Sequence, residues 1–216
     1  MRKNGLDFRI LLSLLVLVLV VGAVALVAIG GQSHEHAQRE QALAHHFDAA
    51  AILEPPMPAP PLALRNYTGQ PVNIDSYRGK AVLVTFLYTT CPDVCPLITS
   101  DLRVALNLMG PKAASKVQII AVSVDPRVDT PKSVATFLAR HEMTGRMKYL
   151  IGSARELGRV WKAWGVGSEQ DASQPQFVNH TGIVYGITAS GERLTLYSAS
   201  FVPSEVAHDV PLLADL

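Results

Sequence analysis

Cysteine is scarce in this chain of 216 residues. Only two cysteines occur, and they lie four positions apart, at Cys91 and Cys95. A disulfide-stabilised scaffold requires more cysteines at wider spacing, so the core must come from ordinary apolar burial. A bridge between these two would close a very short loop and stabilise little. The pair therefore favours a chemical role over a structural one.

An excess of charge of either sign is also lacking, since the chain has 19 basic and 18 acidic side chains. The first 30 residues contain three basic side chains and one acidic one, which leaves 16 basic and 17 acidic in the rest. A near-neutral domain lacks the basic surface with which nucleic-acid-binding proteins attract phosphate. We therefore exclude nucleic acid as a partner.

A long uncharged segment near the N-terminus predicts a membrane anchor. No charged residue occurs from Ile10 to Ser33, which matches the ~20 apolar residues of a transmembrane helix. Three basic residues precede the segment, and by the positive-inside rule they keep residues 1–9 in the cytoplasm. We therefore expect a single-pass anchor at residues 10–31 and an exported domain after it.

The alternative for this segment is a cleaved signal peptide. Ala23-Val24-Ala25 fits the small-residue cleavage pattern, although the apolar run continues to Ile29. Both interpretations place the domain outside the cytoplasm, on the periplasmic side of a bacterial inner membrane. In a eukaryote the corresponding place is the mitochondrial inner membrane, but an Arg- and Ser-rich transit sequence before the run is lacking, which favours a bacterium.

Residues 32–60 have the composition of a linker that contains histidine and proline. The proline-rich second half is typical of an extended, semi-rigid spacer. Four of the seven histidines occur in the first half, namely His34, His36, His45 and His46. They suit weak metal capture, but nothing in the sequence fixes their geometry, so a solvated linker is the simpler interpretation. We expect the globular domain at residues 61–216.

The globular part alternates between predicted strands and helices. Hydrophobic runs and helix-capping residues predict strands at 81–88, 117–124 and 149–151 and helices at 96–109, 130–141 and 153–164. A hairpin formed by residues 182–188 and 193–197 follows, and then a short helix that Ser204 caps. This order predicts an α/β fold with a thioredoxin-like central mixed sheet flanked by helices, joined to the N-terminal transmembrane helix.

Cys91 and Cys95 occur where the first long strand gives way to its helix, a common location for a site in such sheets. Pro96 suits the first helical turn, so we expect Cys95 at the N-cap and Cys91 on the preceding loop. A helix N-terminus lowers the pKa of a nearby thiol, which predicts that both sulfurs readily become thiolates. Thiolate is the form of cysteine that binds metal ions.

Two thiolates and one imidazole form a ligand set that favours a copper ion, Cu(I) or Cu(II). Zinc would require a fourth ligand for a closed site, and the chain has no third cysteine. The candidate imidazole belongs to His180, on the loop before the predicted hairpin, which in a thioredoxin-like fold faces the cysteine loop. His141, in a charged stretch, and His208, on the terminal helix, are less suitable. Its place in the predicted fold, rather than its spacing, selects His180.

Several short segments between residues 62 and 200 have a recognisable combination of sequences. They are Tyr77-Arg78-Gly79-Lys80, Cys91-Pro92-Asp93-Val94-Cys95-Pro96, Val122-Ser123-Val124-Asp125-Pro126, Asp129-Thr130-Pro131, Lys162-Ala163-Trp164-Gly165-Val166 and His180. Together they resemble the Sco/SenC family of cytochrome oxidase assembly proteins. The resemblance implies a thioredoxin-like fold, one N-terminal membrane span and copper ligands at Cys91, Cys95 and His180.

The resemblance further implies a membrane-anchored copper chaperone, rather than an enzyme, that delivers copper to the dinuclear centre of cytochrome c oxidase subunit II. A copper donor chaperone would load it. Asp125 and Asp129 match acidic positions near the site of this family, and we expect them to order the loop or contact a partner. Their simpler role is helix capping and turn formation. Asn179 precedes His180 where many relatives have aspartate, which alters the surroundings of the ring.

Two other functions fit parts of the pattern. Cys91 and Cys95 could be the redox-active pair of a thiol–disulfide oxidoreductase that reduces cysteines of an oxidase subunit or another exported protein. Such an enzyme needs only the cysteines, whereas copper binding also needs His180. A peroxidase of the peroxiredoxin type would place a hydroxyl residue three positions before its reactive cysteine, where this chain has Tyr88, so this function is disfavoured.

Overall fold

The structure, a computed structural model, describes residues 46–170, 178–180 and 182–216, together with residues 12, 14, 15 and 17–22. Side chains are described at all of these except 168–170 and 178–180. The chain divides into two units, Met1–His45 and His46–Leu216. In the first unit the described residues are helical with exposed apolar side chains.

The predicted anchor at residues 10–31 falls largely outside the described residues. Among the residues that the structure does describe, no helix combines the length and the hydropathy needed to cross a membrane. The anchor therefore stays a prediction from the sequence.

The second unit is built from strands and helices that alternate along the chain. Its described strands are β1 (Ala51–Pro58), β2 (Ala63–Asn66), β3 (Pro71–Asn73), β4 (Ala81–Leu87), β5 (Val117–Ser123), β6 (Met147–Ile151), β7 (Ser168–Gln170), β8 (Val178–His180), β9 (Ile183–Ile187) and β10 (Glu192–Ser198). Its described helices are α1 (Val94–Ala114), α2 (Pro131–Arg140), α3 (Ala154–Trp164) and α4 (Pro203–Ala214), with a 3₁₀ helix at Ile74–Tyr77.

Eight of these strands form one mixed sheet in the order β1-β10-β9-β4-β5-β6-β2-β3. The strands β4, β5 and β6 are parallel to one another, and the other pairings are antiparallel. The helices pack against this sheet, as the ring contacts of Phe137 with Tyr149 and of Trp164 with Phe86 show. The prediction of a central mixed sheet flanked by helices is confirmed.

The central strand β4 is apolar because both of its faces are covered. All seven of its residues are buried, and it lies between β5 and β9. A strand that is buried on both faces has a continuous hydrophobic sequence rather than an alternating one. The end of this strand leads directly into the cysteine segment, so a buried central strand positions that segment.

The helices α2 and α3 begin at the capping residues that the sequence predicts. Thr130 accepts a hydrogen bond from Ser133 N–H over 3.1 Å, and Pro131 follows as the first helical residue. Ser153 and Glu156 form a reciprocal capping box at the start of α3. That helix ends at Gly165, whose φ of 69° lies in the left-handed region that glycine tolerates.

Part of the predicted linker belongs to the folded unit instead. Residues 51–58 form β1, which pairs with β10 at the edge of the sheet, and the unit begins at His46. The register of this pairing shifts between Ile52 and Met57, where Pro55 and Pro56 interrupt the strand. Proline is tolerated at sheet edges and bulges, which is why a proline-rich sequence forms a strand here.

Two helix boundaries also differ from the prediction. The helix α1 begins before Pro96, and its helical path is interrupted at Gly110, with φ 69°, before Pro111 starts a final helical segment to Ala114. The interruption lies where the sequence predicts the helix to end. The helix α4 begins at Pro203, with Val202 rather than Ser204 at the N-cap.

Candidate metal centre

The segment between β4 and α1 carries both cysteines. Because β4 ends at Leu87 and α1 begins at Val94, Cys91 lies on the loop and Cys95 is the second residue of the helix. The N-cap is Asp93, whose side chain makes no capping hydrogen bond. The predicted N-cap at Cys95 is therefore wrong by two residues.

The two cysteines contact each other directly. Cys91 N–H donates to the Tyr88 carbonyl over 3.2 Å, which turns the loop, and Cys95 N–H donates to Cys91 Sγ over 3.4 Å. Thr99 Oγ1 donates to the Cys95 carbonyl over 2.7 Å from the next helical turn. Neither cysteine is part of a disulfide, and their exposed fractions are 8% for Cys91 and 0% for Cys95. The structure thus brings the two predicted sulfur ligands to one buried position.

Burial controls the ionisation of Cys95. It raises the pKa of this thiol far above the ordinary value, and the hydrogen bond and charge of Cys91 raise it further. A backbone hydrogen bond from Tyr88 acts in the opposite direction. The predicted lowering of the Cys95 pKa by the helix N-terminus is therefore wrong, because desolvation of a buried thiolate outweighs the helix dipole. A metal ion that binds Cys95 must displace this proton.

A buried carboxylate anchors the start of the cysteine loop. Asp129 Oδ1 accepts Thr89 N–H over 2.8 Å, and its Oδ2 accepts the hydroxyls of Ser123 over 2.6 Å and Tyr149 over 3.0 Å. Desolvation raises the pKa of the Asp129 carboxyl, and these hydrogen bonds act against it. The expectation that Asp129 orders the loop is confirmed, because the loop begins two residues before Cys91 with this contact.

Asp125 shapes a turn rather than the cysteine loop. Its Oδ1 accepts the backbone N–H and Nε of Arg127 over 3.0 and 2.8 Å, and its Oδ2 accepts Nη2 over 2.7 Å. Its own N–H donates to Ser123 Oγ over 3.2 Å. The simpler expectation for Asp125, turn formation, therefore holds within the described residues.

His180 is the third predicted ligand, and the structure describes its backbone only. It ends β8 and pairs with Ser168 of β7. Two residues later, a Cβ added at Gly182 would lie 3.8 Å from Cδ1 of Ile98, which is three residues beyond Cys95 on α1. The chain just after His180 therefore packs beside the helix that carries Cys95. The imidazole itself lies outside what the structure describes, so its role stays a prediction.

Three of the four linker histidines, His34, His36 and His45, also lie outside the described residues. His46 is exposed at the start of the second unit. Metal capture by this stretch is therefore an untested prediction.

A second cluster of potential ligands joins the two ends of the folded unit. His208 Nδ1 on α4 lies 2.8 Å from Asp209 Oδ1 and 3.5 Å from Asp48 Oδ2. Buried Asp209 also accepts Asp48 N–H over 2.9 Å and the Tyr197 hydroxyl over 3.0 Å. Since protein donors already satisfy the buried carboxylate, this cluster is an ion-pair network that holds the start of the unit to its last helix.

Sequence reasoning missed three groups that support the cysteine loop. Ser123 and Tyr149 are hydroxyl residues in predicted strands, where they look like ordinary parts of the sheet, and Thr89 contributes its backbone. The sequence does contain a signal for Ser123, because neighbouring parallel strands end at the same edge of a sheet. A serine at the end of β5, close to Asp129 along the chain, would be expected beside the cysteine loop at the end of β4.

Comparison with known proteins identifies the family to which the chain is similar. The family model described as SCO1/SenC matches residues 54–214. The human protein "Protein SCO1 homolog, mitochondrial" is 26% identical over 190 residues, which cover 85% of this chain and 62% of the human one. The mouse protein of the same name is 26% identical over 159 residues, which cover 72% of this chain and 55% of the mouse one. The chain thus spans between about half and three fifths of these curated relatives.

Solved structures show the same fold. Bradyrhizobium japonicum ScoI, whose structure was determined with copper bound, is 29% identical with a TM-score of 0.64 and covers 73% of this chain and 99% of its own. The apo Sco1 protein of Thermus thermophilus is 29% identical with a TM-score of 0.66 and covers 79% of this chain and 97% of its own. Because the family model matches about three quarters of the sequence, the chain belongs to the SCO1/SenC family.

Proposed function

We propose that this protein is a copper chaperone that holds one copper ion through Cys91, Cys95 and His180 and passes it to a cytochrome c oxidase during assembly. The observation that carries the proposal is the contact between the two cysteines, in which the backbone N–H of Cys95 donates to Cys91 Sγ over 3.4 Å. Two soft sulfur ligands at one buried position, with an imidazole as the third ligand, suit copper better than a hard cation.

Two further facts support copper as the cargo. The related ScoI of Bradyrhizobium japonicum was solved with copper bound. In this chain, the segment after His180 packs beside α1 at Ile98, one helical turn beyond Cys95. The backbone that follows His180 thus lies near the helix that carries Cys95, which supports His180 as the third ligand.

The sequence supplies the setting for this activity. The anchor at residues 10–31 would hold the domain on the outer side of a bacterial inner membrane, with residues 1–9 in the cytoplasm. The folded part, which begins at His46, would then face the exported domain of oxidase subunit II and a copper donor chaperone. In this role the protein carries a metal ion and catalyses no reaction.

Copper titration of the full chain in detergent tests the proposal. The fully reduced protein should bind one copper ion per chain and develop a thiolate-to-Cu(II) charge-transfer band in its absorption spectrum. Each of Cys91→Ser, Cys95→Ser and His180→Ala should abolish or shift that band, because each removes one ligand. His46→Ala, which changes an exposed histidine, should leave the band unchanged.

A protein that takes up no copper when reduced would refute the proposal. An unchanged band in His180→Ala would refute the imidazole ligand alone, and the site would then consist of two thiols.

A thiol–disulfide oxidoreductase is the second candidate, favoured by the same contact between the reduced Cys91 and Cys95. In this reaction Cys91 and Cys95 are oxidised to a disulfide while a disulfide of an oxidase subunit is reduced to two thiols. His180→Ala separates the two functions. It should leave thiol exchange intact, and it should abolish oxidase assembly only if copper binding is required.

A further inference from the structure

A groove beside the cysteine loop is a cavity that the proposed copper ligands do not explain. It has a volume of about 540 Å³ and lies between the loop at Cys91 and one face of α2. That face presents Lys132, Phe137 and Arg140, and the remaining lining residues are four threonines and a serine. We call this cavity the Cys91 groove.

The Cys91 groove has cationic charge and lacks a carboxylate among its described lining residues. Lys132 and Arg140 are both exposed, and neither pairs with an acidic side chain anywhere in the described ranges. The hydroxyls of Thr130, Ser133 and Thr136 donate to acceptors within the protein, so the two cations are the groups that would bind an anion here. Ammonium and guanidinium groups suit carboxylates.

The groove also gives access to the thiol pair. Cys95 is fully buried, whereas Cys91 retains 8% exposure and lines the groove. A molecule that lies in the groove therefore meets Cys91 first. A partner that approaches Cys91 from this side meets a cavity that Lys132 and Arg140 also line.

The separation of the two cations sets the size of the ligand. They lie eight residues apart on α2, which corresponds to about 12 Å along a helix axis. An extended peptide advances about 3.3 Å per residue, so two acidic residues four positions apart reach both cations. A concave groove fits a peptide segment better than it fits the flat surface of a membrane.

We propose that the Cys91 groove docks an extended acidic segment of the protein that exchanges copper with this chain, with its carboxylates beside Lys132 and Arg140. The proposal rests on the proposed function, because copper exchange supplies the reason for a partner to approach Cys91. Charge complementarity of this kind mainly increases the rate of association and selects the partner.

A thiol probe tests the docking without copper. We would use three peptides of sequence X-Gly-Cys-Gly-X, in which X is glutamate, lysine or glycine and the cysteine forms a mixed disulfide with thionitrobenzoate. The Cys91 thiol loses its proton to solvent, and its sulfur attacks the peptide sulfur. A disulfide forms between Cys91 and the peptide while the original bond breaks and releases coloured thionitrobenzoate.

The full chain in detergent at low salt should react about tenfold faster with the glutamate peptide than with the lysine peptide, with glycine between them. The double variant Lys132→Glu/Arg140→Glu should reverse this order. The double variant Lys112→Glu/Arg155→Glu changes one exposed lysine and one exposed arginine outside the groove, and it should preserve the order. Cys91→Ser should abolish the release of the chromophore.

The proposal would be overturned if Lys132→Glu/Arg140→Glu reacted with the three peptides in the same order of rates as the wild type. Equal rates of the wild type with all three peptides would also overturn it. Binding to phosphatidylglycerol vesicles that the groove variant loses, without a reversal of the peptide order, would assign the cations to a lipid surface instead. Copper titration of the groove variant is separate, and it should match the wild type. Failure of copper binding in the wild type would refute the proposed function and leave the peptide result standing.

Discussion

Tyr149 shows how one buried hydroxyl supports the cysteine loop from a distance. Its hydroxyl donates to Asp129, which in turn accepts the N–H of Thr89. We predict that Tyr149→Phe lowers the free energy of unfolding by about 1 kcal/mol, because a buried hydrogen bond is lost while the ring is kept. Urea denaturation of the variant and the wild type measures this difference.

Tyr67→Phe is the matched control. The hydroxyl of Tyr67 makes no hydrogen bond with the described residues, so its removal should change the free energy of unfolding by less than about 0.5 kcal/mol. Equal effects of the two substitutions would show that the Asp129 contact does not contribute to stability.

At the level of single residues, chemistry was easier to predict than environment. The spacing of Cys91 and Cys95 and the resemblance around Asp129 located the thiols and the acid beside them. The ionisation of Cys95 was predicted in the wrong direction, because its pKa depends on burial by residues distant in sequence. A helix N-terminus can be read from local sequence, whereas desolvation cannot.

Gly186 lies at a close contact between the sheet and the terminal helix. A Cβ at this position would collide with Thr195 Oγ1 and lie 2.8 Å from Leu213 Cδ1, so β9, β10 and α4 all limit the space. We predict that Gly186→Ala lowers the free energy of unfolding by about 1–3 kcal/mol, because a packed core must shift to admit the methyl group. Chemical denaturation checks this value.

Gly158→Ala is the matched control, because the same glycine-to-alanine change should here increase stability. Gly158 lies inside α3, and an added Cβ would have no neighbour within 4 Å. This substitution should raise the free energy of unfolding by about 0.5–1 kcal/mol, because alanine favours the helix and restricts the unfolded chain. A Gly186→Ala variant that is as stable as Gly158→Ala would contradict the close packing of β9 against α4.

Among the elements, those with a strong local pattern were predicted correctly and those without one were missed. The central strands β4 and β5 have continuous apolar sequences, and α2 and α3 have capping residues at their first turns. β1 was interpreted as linker because three of its eight residues are prolines, and only its pairing with β10 makes it a strand. The edge strand β1 depends on a partner strand that lies 134 to 145 residues further along the chain.

For the whole molecule, the order of the elements predicted the mixed sheet. It did not predict that the two ends of the folded unit contact each other. The start of the folded unit reaches the terminal helix through Asp48, His208 and Asp209. An exposed aspartate before a proline-rich stretch gives no sequence signal for this contact. The closure nevertheless fixes where the linker from the predicted anchor enters the domain.

This network should give the protein a characteristic dependence of stability on pH. The hydrogen bond to Asp209 raises the pKa of His208 above 6.5, and the charge of Asp48 adds to it. The folded state therefore binds the His208 proton more tightly than the unfolded state, so this stabilisation is complete below pH 6.5 and is lost as pH rises through the raised pKa. Because His208 is half-exposed, we expect a loss of less than about 1 kcal/mol.

His141 should act in the opposite direction at lower pH. Desolvation lowers its pKa below 6.5, and the charges of Arg140 and Arg103 lower it further, so the unfolded state binds this proton more tightly. Stability therefore falls as pH decreases from 6.5 through the lowered pKa. Together the two histidines favour a maximum of stability near pH 6.5.

Urea denaturation across this pH range, with His208→Gln and His141→Gln, separates the two effects. The difference in the free energy of unfolding between the wild type and His208→Gln should decrease as pH rises above 6.5, because only the wild type has an ion pair to lose there. The difference between wild type and His141→Gln should change below 6.5 instead. Subtracting variants in this way removes the contributions of titratable groups that do not contact the substituted histidine. If the difference in the free energy of unfolding between the wild type and His208→Gln stayed constant with pH, the contact between Asp48 and the terminal helix would not depend on the charge of His208.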